Sequence, residues 1–291
     1  MVMDTTWVAG TILGALELGP GDPADITAIL ENPRDREALI QRDPSLATRD
    51  LTEYLCRNID VGRVEYWSKQ VTADLAADAA HVVIAGTPEY PSILAKSWDA
   101  PPLLFIRGQI MTPRAVAIIG SRDTDDAVLS AAHFVAGELA SDGHTIVSGL
   151  AAGVDTAAHQ GALDAGGHTI AVMGTGIRHV YPTSNAGLAE QIAHRGAVIS
   201  QFPPDAPRTG TTFLRRNQVI AGLCQASLVM AGQDRSGSRH EVEQALSYGR
   251  TAILWRPGLA NQTWAADLNQ RGLAHFVDDV DEVRRILKET S

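Results

Sequence analysis

Five short stretches concentrate residues suited to receiving an anion: Gly120-Ser121-Arg122, Ser148-Gly149-Leu150-Ala151-Ala152-Gly153-Val154-Asp155, Gly174-Thr175-Gly176, Ser200-Gln201-Phe202-Pro203-Pro204 and Ala231-Gly232-Gln233-Asp234-Arg235-Ser236-Gly237-Ser238. Glycine permits positive φ and lets a ligand reach the main chain, which is the use open to Gly120, Gly149, Gly174, Gly176 and Gly237. Ser121, Ser236 and Ser238 offer hydroxyls, and Arg122 offers a forked cation beside them. Any one such loop also serves simply to turn a strand into a helix. What favours chemistry is convergence, with five small, polar or cationic loops together.

A second stretch is Phe213-Leu214-Arg215-Arg216-Asn217-Gln218-Val219-Ile220-Ala221-Gly222-Leu223. An aromatic beside Arg215, Arg216 and the Asn217 amide suits a single nucleic-acid strand, with cations on phosphates and a base stacked on the ring. The structural alternative has Phe213 stapling a helix start and one arginine paired with an acid. Glu241, taken by itself, reads as an ordinary acid in a helix's first turn.

No loop has the dinucleotide fingerprint, and no G-x-x-x-x-G-K-[ST] occurs in a chain whose only lysines are Lys69, Lys96 and Lys288. Cys56 and Cys224 make neither a disulfide framework nor a four-cysteine metal site, so no metal and no cofactor are expected.

These loops need elements to hold them. From residue 115 the sequence alternates apolar runs with helical periodicity. The expected strands are Ala115–Ile119, Thr145–Val147, Thr169–Met173, Ala197–Ile199, Ser227–Met230 and Thr251–Trp255. The helices between them are expected near 126–141, 154–165, 185–195, 214–224 and 238–248. Such alternation predicts an α/β fold: a Rossmann-like, doubly wound, mostly parallel sheet with helices on both faces. The five loops then follow the carboxyl ends of the strands, where ligands bind in such sheets. Upstream, His81–Ala85 and Leu103–Gly108 read as strands. Residues 1–80 read as a helical module punctuated by Pro20, Pro23, Pro33 and Pro44, with helical spacing over 26–30, 37–40 and 51–56. Past 258, a strand at 274–277 and a helix at 281–288 are expected. The division is thus 1–80 and 81–291.

The 291 residues are 45% hydrophobic and 20% charged, enough to bury a full core. Mean hydropathy is −0.04. No apolar run nears the roughly 20 residues of a membrane span, and the start lacks a signal peptide's pattern. A cytoplasmic protein with no membrane partner is expected. Net charge is −10, which excludes a uniformly basic nucleic-acid binder. The imbalance is local, at −7 over residues 1–113 and −1 over 114–257, while 205–240 carries +3. A local anion site on an acidic molecule fits that distribution.

The order of these segments resembles the DprA/Smf DNA-processing family. The resemblance rests on Tyr90-Pro91-Ser92-Ile93-Leu94, Pro101–Gly108, Ala115–Arg122, Val147–His159, Gly161-Ala162-Leu163, Ala171–Gly176, Val180-Tyr181-Pro182, Arg216–Leu223 and Arg235–Ser238, running in consistent order from about 81 to 288. It implies an extended Rossmann fold that binds single-stranded DNA in recombination, natural transformation or the handling of foreign DNA. It also implies a homodimer, a RecA-type recombinase as partner, and no catalysis. The positions it nominates for DNA are Gly120, Ser121, Arg122, Phe213, Arg215, Arg216 and Asn217, with Ser236-Gly237-Ser238 beside them. The winged-helix domain that many members add does not follow in this sequence. No clear helix-hairpin-helix glycine pattern marks residues 1–80, and Leu214 stands where a proline often follows the aromatic. Gly237-Ser238-Arg239-His240-Glu241 also resembles, less closely, the G-G-x-G-T-x-x-E loop of the related LOG phosphoribohydrolases. That likeness keeps open the alternative of a nucleotide sensor or nucleotide phosphoribohydrolase at the same strand ends.

Overall fold

The computed structural model describes residues 4–19, 21–77, 80–111, 114–234 and 236–290. Pro20 and Arg235, both singled out above, lie outside these, as do Met1, Val2, Met3 and Ser291.

Among the described residues nine strands form one sheet in the order β1-β2-β6-β5-β4-β3-β7-β8-β9. They are β1 (Ala80–Ile84), β2 (Leu103–Gly108), β3 (Ala115–Ile119), β4 (Thr145–Ser148), β5 (Thr169–Val172), β6 (Ala197–Ser200), β7 (Ala226–Val229), β8 (Thr251–Trp255) and β9 (Ala274–Val277). From β6 to β9 every neighbouring pair is parallel. At the other edge β1 and β2 join antiparallel. The doubly wound, mostly parallel sheet expected from the alternation is therefore present.

The helices are α1 (Thr5–Leu18), α2 (Pro23–Glu31), α3 (Pro33–Gln41), α4 (Asp50–Asn58), α5 (Val61–Ala77), α6 (Asp126–Ser141), α7 (Val154–Asp164), α8 (Ala186–Arg195), α9 (Gly210–Leu223), α10 (Gly237–Ser247), α11 (Arg256–Leu259), α12 (Thr263–Gln270) and α13 (Val280–Glu289). Along β3 the side chains alternate between two cores. Val116 and Ile118 join the one built with α6, α7 and α13, while Ala115, Ala117 and Ile119 join the one that takes in α9, α10 and α1–α5. Burial on both faces is why β3 reads as an unbroken apolar run.

The topology fixes where a ligand sits. From β3 the chain steps outward through β4, β5 and β6, then returns to the other side of β3 for β7, β8 and β9. The winding direction changes at β3, and the loops beyond β3, β4 and β7 diverge there to leave a crevice.

Candidate functional site

The crevice is a cavity of about 470 Å³ lined by Gly120, Ser121, Arg122, Phe213, Arg216, Asn217, Ser236, Gly237 and Ser238, together with Ile119, Asp123, Ala151, Asp155, Leu214 and Ile220. Three of the five strand-end loops, those after β3, β4 and β7, meet the first turns of α9 here, while the loops after β5 and β6 do not line this cavity. Gly149, Gly174, Gly176 and Arg215 are not in its lining.

The β3 loop is pinned locally. Ser121 Oγ donates to Asp123 O at 2.6 Å and accepts from Asp123 N at 3.2 Å. Behind it Gly153 takes φ +80°, and a side chain there would strike Ser121 O at 2.5 Å. Arg122 is left exposed, and among the described residues it pairs with no carboxylate. Its guanidinium stands 5.2 Å from the centre of the Phe213 ring. On the opposite wall Ser236 caps α10 by accepting from Arg239 N at 3.3 Å. The free N–H groups of that helix start turn positive potential toward the cavity.

Arg216 forms the floor, where its side chain is buried. Its guanidinium donates to Gly149 O and, at 3.1 Å, to Val172 O, while Nε donates to Asn217 Oδ1 at 3.1 Å. Asn217 in turn donates to Gly237 O at 3.0 Å. One arginine thereby ties the ends of β4 and β5 to α9, and through Asn217 to α10. Gly149 is glycine because a Cβ would lie 1.7 Å from Arg216 Nη1. Gly174 lies against the Phe213 ring, and Gly176 presses on the carbonyls of Pro203 and Pro204. These three glycines shape the floor and rim rather than line the cavity. Arg215 turns away to Asp22 in the loop before α2, at 3.7 Å.

Phe213 falls within α9, whose first turn begins at Gly210 under a Thr209–Thr212 capping box, earlier than the helix start near 214 expected from periodicity. Its ring is crowded by Arg122 and Arg216, each 5.2 Å from the centroid, and by Tyr181 edge-on at 6.1 Å. Tyr181, Arg208 and the pocket acids Asp123 and Asp155 were not among the candidates. Asp155 sits in the quoted glycine loop after β4, and Tyr181 in the quoted Val180-Tyr181-Pro182; Arg208 gave only a charge.

Glu241 is placed elsewhere. It is fully buried, accepts from Ser227 Oγ at 2.7 Å through Oε1, and does not line the cavity. Among the described residues its Oε2 has no hydrogen-bond partner. Burial pushes its pKa up to about 8, neighbouring Asp155 adds to the rise, and Ser227 and Arg216 oppose it. Asp155 is raised too, chiefly by burial, with Arg216 pulling the other way. His159, in the same quoted run as Asp155, is buried, bonds Thr169 Oγ1 at 2.7 Å and is held neutral with a pKa of about 3. Among the described residues no His/Cys/Asp/Glu cluster could hold a metal ion, and no helix is long and apolar enough to cross a membrane.

A doubly wound sheet with a cationic, glycine-rimmed cleft at its switch point defines a Rossmann-like protein with an anion-receptive site. More particularly, the chain belongs to the DNA recombination-mediator protein A family, whose model matches residues 81–288. It is 40% identical over 163 residues to DNA processing protein DprA of Streptococcus pneumoniae, covering 55% of this chain and 57% of that one. It is 35% identical over 201 residues to protein Smf of Escherichia coli, covering 63% and 51%. The matched stretches therefore span little more than half the length of these curated relatives. The crystal structure of the S. pneumoniae protein superimposes with a TM-score of 0.70 at 29% identity, covering 95% of this chain and 92% of that one. DNA processing protein A of Helicobacter pylori, a structure concerned with that protein's single-stranded DNA binding mode, gives 0.66 at 25% identity, covering 74% and 99%.

Proposed function

We propose that this protein binds single-stranded DNA at the switch-point cleft and acts in DNA recombination, natural transformation or the handling of foreign DNA. The observation that carries this reading is the exposed guanidinium of Arg122 at the end of β3. It has no carboxylate partner among the described residues and faces the start of α10 across a cavity floored by Arg216. A phosphate seated there meets the Arg122 cation and the N–H dipoles at the start of α10. The single-stranded DNA binding described for the H. pylori relative supports the choice of ligand. Family membership implies further partners, a second copy of the chain and a RecA-type recombinase, in the cytoplasm. Light scattering and co-sedimentation with the recombinase check those.

The competing nucleotide-hydrolase reading depends on Glu241, whose carboxylate is buried outside the cavity lining. Anisotropy titrations with single strand, duplex and mononucleotide at two salt concentrations test the proposal. Single strand is expected to bind tightest and to weaken steeply with salt. Arg122→Ala is expected to weaken every sequence alike and to reduce the magnitude of the salt slope by about 0.7, the share of one phosphate contact on a single strand. An Arg122→Ala protein that binds like the wild type at moderate salt would remove the cleft as the site. Release of free base from a purine monophosphate, lost in Glu241→Gln, would favour the hydrolase instead.

A further inference from the structure

Beside the cleft, on the same rim of the sheet, lies a second cavity of about 550 Å³. It opens between the loop that follows β5 and the loop that follows β6, with Val180, Ala186 and Pro207 giving it an apolar wall. At its edge stands Tyr181, 38% exposed, with the Arg208 guanidinium 4.4 Å from its ring centre. Arg208 is exposed and, among the described residues, pairs with no carboxylate. The one acid in the lining, Asp205, is engaged by Arg178 at 3.0 Å and His179 at 3.3 Å.

Phe213 lines the first cavity and meets Tyr181, which lines the second, with ring centres 6.1 Å apart. Its ring carries two guanidiniums and the backbone of Gly174, and its contact with Tyr181 is edge to face, at an interplanar angle of 88°. Such a ring has little face left for a base. The Tyr181–Arg208 pair, by contrast, is an aromatic–cation platform at the solvent boundary, beside a hollow with an apolar wall and ample room for a base. An unpaired base stacks on such a platform, and the phosphate next to it is drawn to the same guanidinium. A duplex keeps its bases stacked on one another and has none to offer.

We infer that Tyr181 and Arg208 form a second station for the single strand. The strand runs from Arg122 over the edge of Phe213 and lays a base on the Tyr181–Arg208 stack. The inference rests on the single-strand reading of the first cleft and extends it along the rim toward β5 and β6. Tyr181 is thereby the stacking residue, and Phe213 the prop that orients Arg122 and Tyr181.

Strand length separates the two stations. The test is anisotropy with oligothymidylates of about four and about sixteen nucleotides, spanning the usual site sizes of such grooves. The wild type is expected to bind the longer strand more tightly. Tyr181→Ala is expected to lose about ten-fold on the long strand with an unchanged salt slope, and to bind the short one like the wild type. Tyr181→Phe keeps the ring and is expected to restore the long-strand affinity. Arg208→Ala is expected to lose affinity on the long strand together with about 0.7 of the slope's magnitude. Circular dichroism and thermal melting establish that each variant is folded. Tyr181→Ala binding the long strand like the wild type overturns the second station and leaves the first in place. An equal loss on both lengths shows Tyr181 acting only through Phe213, and also overturns it. A wild type that binds neither length ends the single-strand reading and the second station with it.

Discussion

In the cleft floor Arg216 lies close to two buried acids, Asp155, which also lines the cavity, and Glu241 behind it. Glu241 is the extreme case. Its surroundings are Ser227 from β7, Asp155 from α7, Arg216 from α9 and the Cys224 thiol, and among the described residues only Ser227 bonds it. Its ordinary pKa is 4.5 and its folded value about 8, so between those values the unfolded chain has released a proton that the folded chain keeps. Stability contributed by this group is therefore present at low pH and falls as pH rises through that window. Glu241→Gln is neutral at all pH, and its Oε1 still accepts from Ser227. Denaturant unfolding of the variant is expected to flatten this pH dependence and to show higher stability than the wild type near neutral pH. An unchanged pH profile would mean that Glu241 is ionised in the fold. Residue type alone announced a donor or a carboxylate at each of these positions. It did not say which carbonyl, helix or core lay within reach. That is why Arg122 and Arg216 read alike in the sequence, although one faces solvent and the other clamps Gly149 and Val172.

Elements were more legible than side-chain fates. The strands from β3 to β8 stand within a residue or two of the apolar runs, because a strand buried on both faces leaves a run bounded by glycine and polar residues. Helix α1 left no such mark. Residues Val8 to Ala15 are buried without interruption, so the helix shows no polar face and no 3.6-residue rhythm. The first turn of α9 was hidden by Gly210, Thr211 and Thr212, poor helix formers that a capping box holds in place. Close helix contact leaves a plainer trace, glycine inside a helix. Gly161 of α7 faces α6, and a Cβ there would lie 2.0 Å from His133 O, a backbone atom that cannot step aside alone. Gly137 of α6 faces back, with its Cβ position 3.2 Å from Gly161 O. Gly161→Ala is expected to push the two helices apart and cost about 1–3 kcal/mol or more, as overpacking does. Because the amino end of α7 abuts the Ser121 loop, that shift reaches the cleft. Thermal melting measures it, and an unaltered melting temperature would show that α6 yields without cost.

At the scale of the whole molecule, the helices that precede the sheet share its core. Ile12, Leu13, Ile29, Leu30, Leu39, Leu55, Val64 and Val71 belong to the same buried cluster as Val82, Leu103, Phe105 and Ile199. Polar ties follow the same seam. Thr27 Oγ1 donates to Ala100 O at 2.6 Å, Arg36 Nη1 to Gly86 O at 2.7 Å, and Arg215 reaches Asp22 at 3.7 Å. Charge argues the other way, since residues 1–113 hold −7 of the net −10 and repel one another as well as any phosphate near the cleft. Hydrophobic burial outweighs that repulsion, because each large aliphatic side chain returned to water costs about 1.5–3 kcal/mol while exposed like charges are screened within about 8 Å at physiological salt. Deleting residues 1–79 is thus expected to uncover β1, β2 and the face of the sheet beside them, and to leave an aggregating chain, its smaller net charge also weakening the repulsion that keeps copies apart. Soluble expression and the cooperativity of thermal unfolding decide the matter. A truncated protein that stays monodisperse and melts in one sharp transition near the full-length temperature would mean that the sheet and its later helices hold a sufficient core alone. The helical segment would then be an accessory resting on them, and the Asp22–Arg215 pair would be its tether to the cleft helix α9.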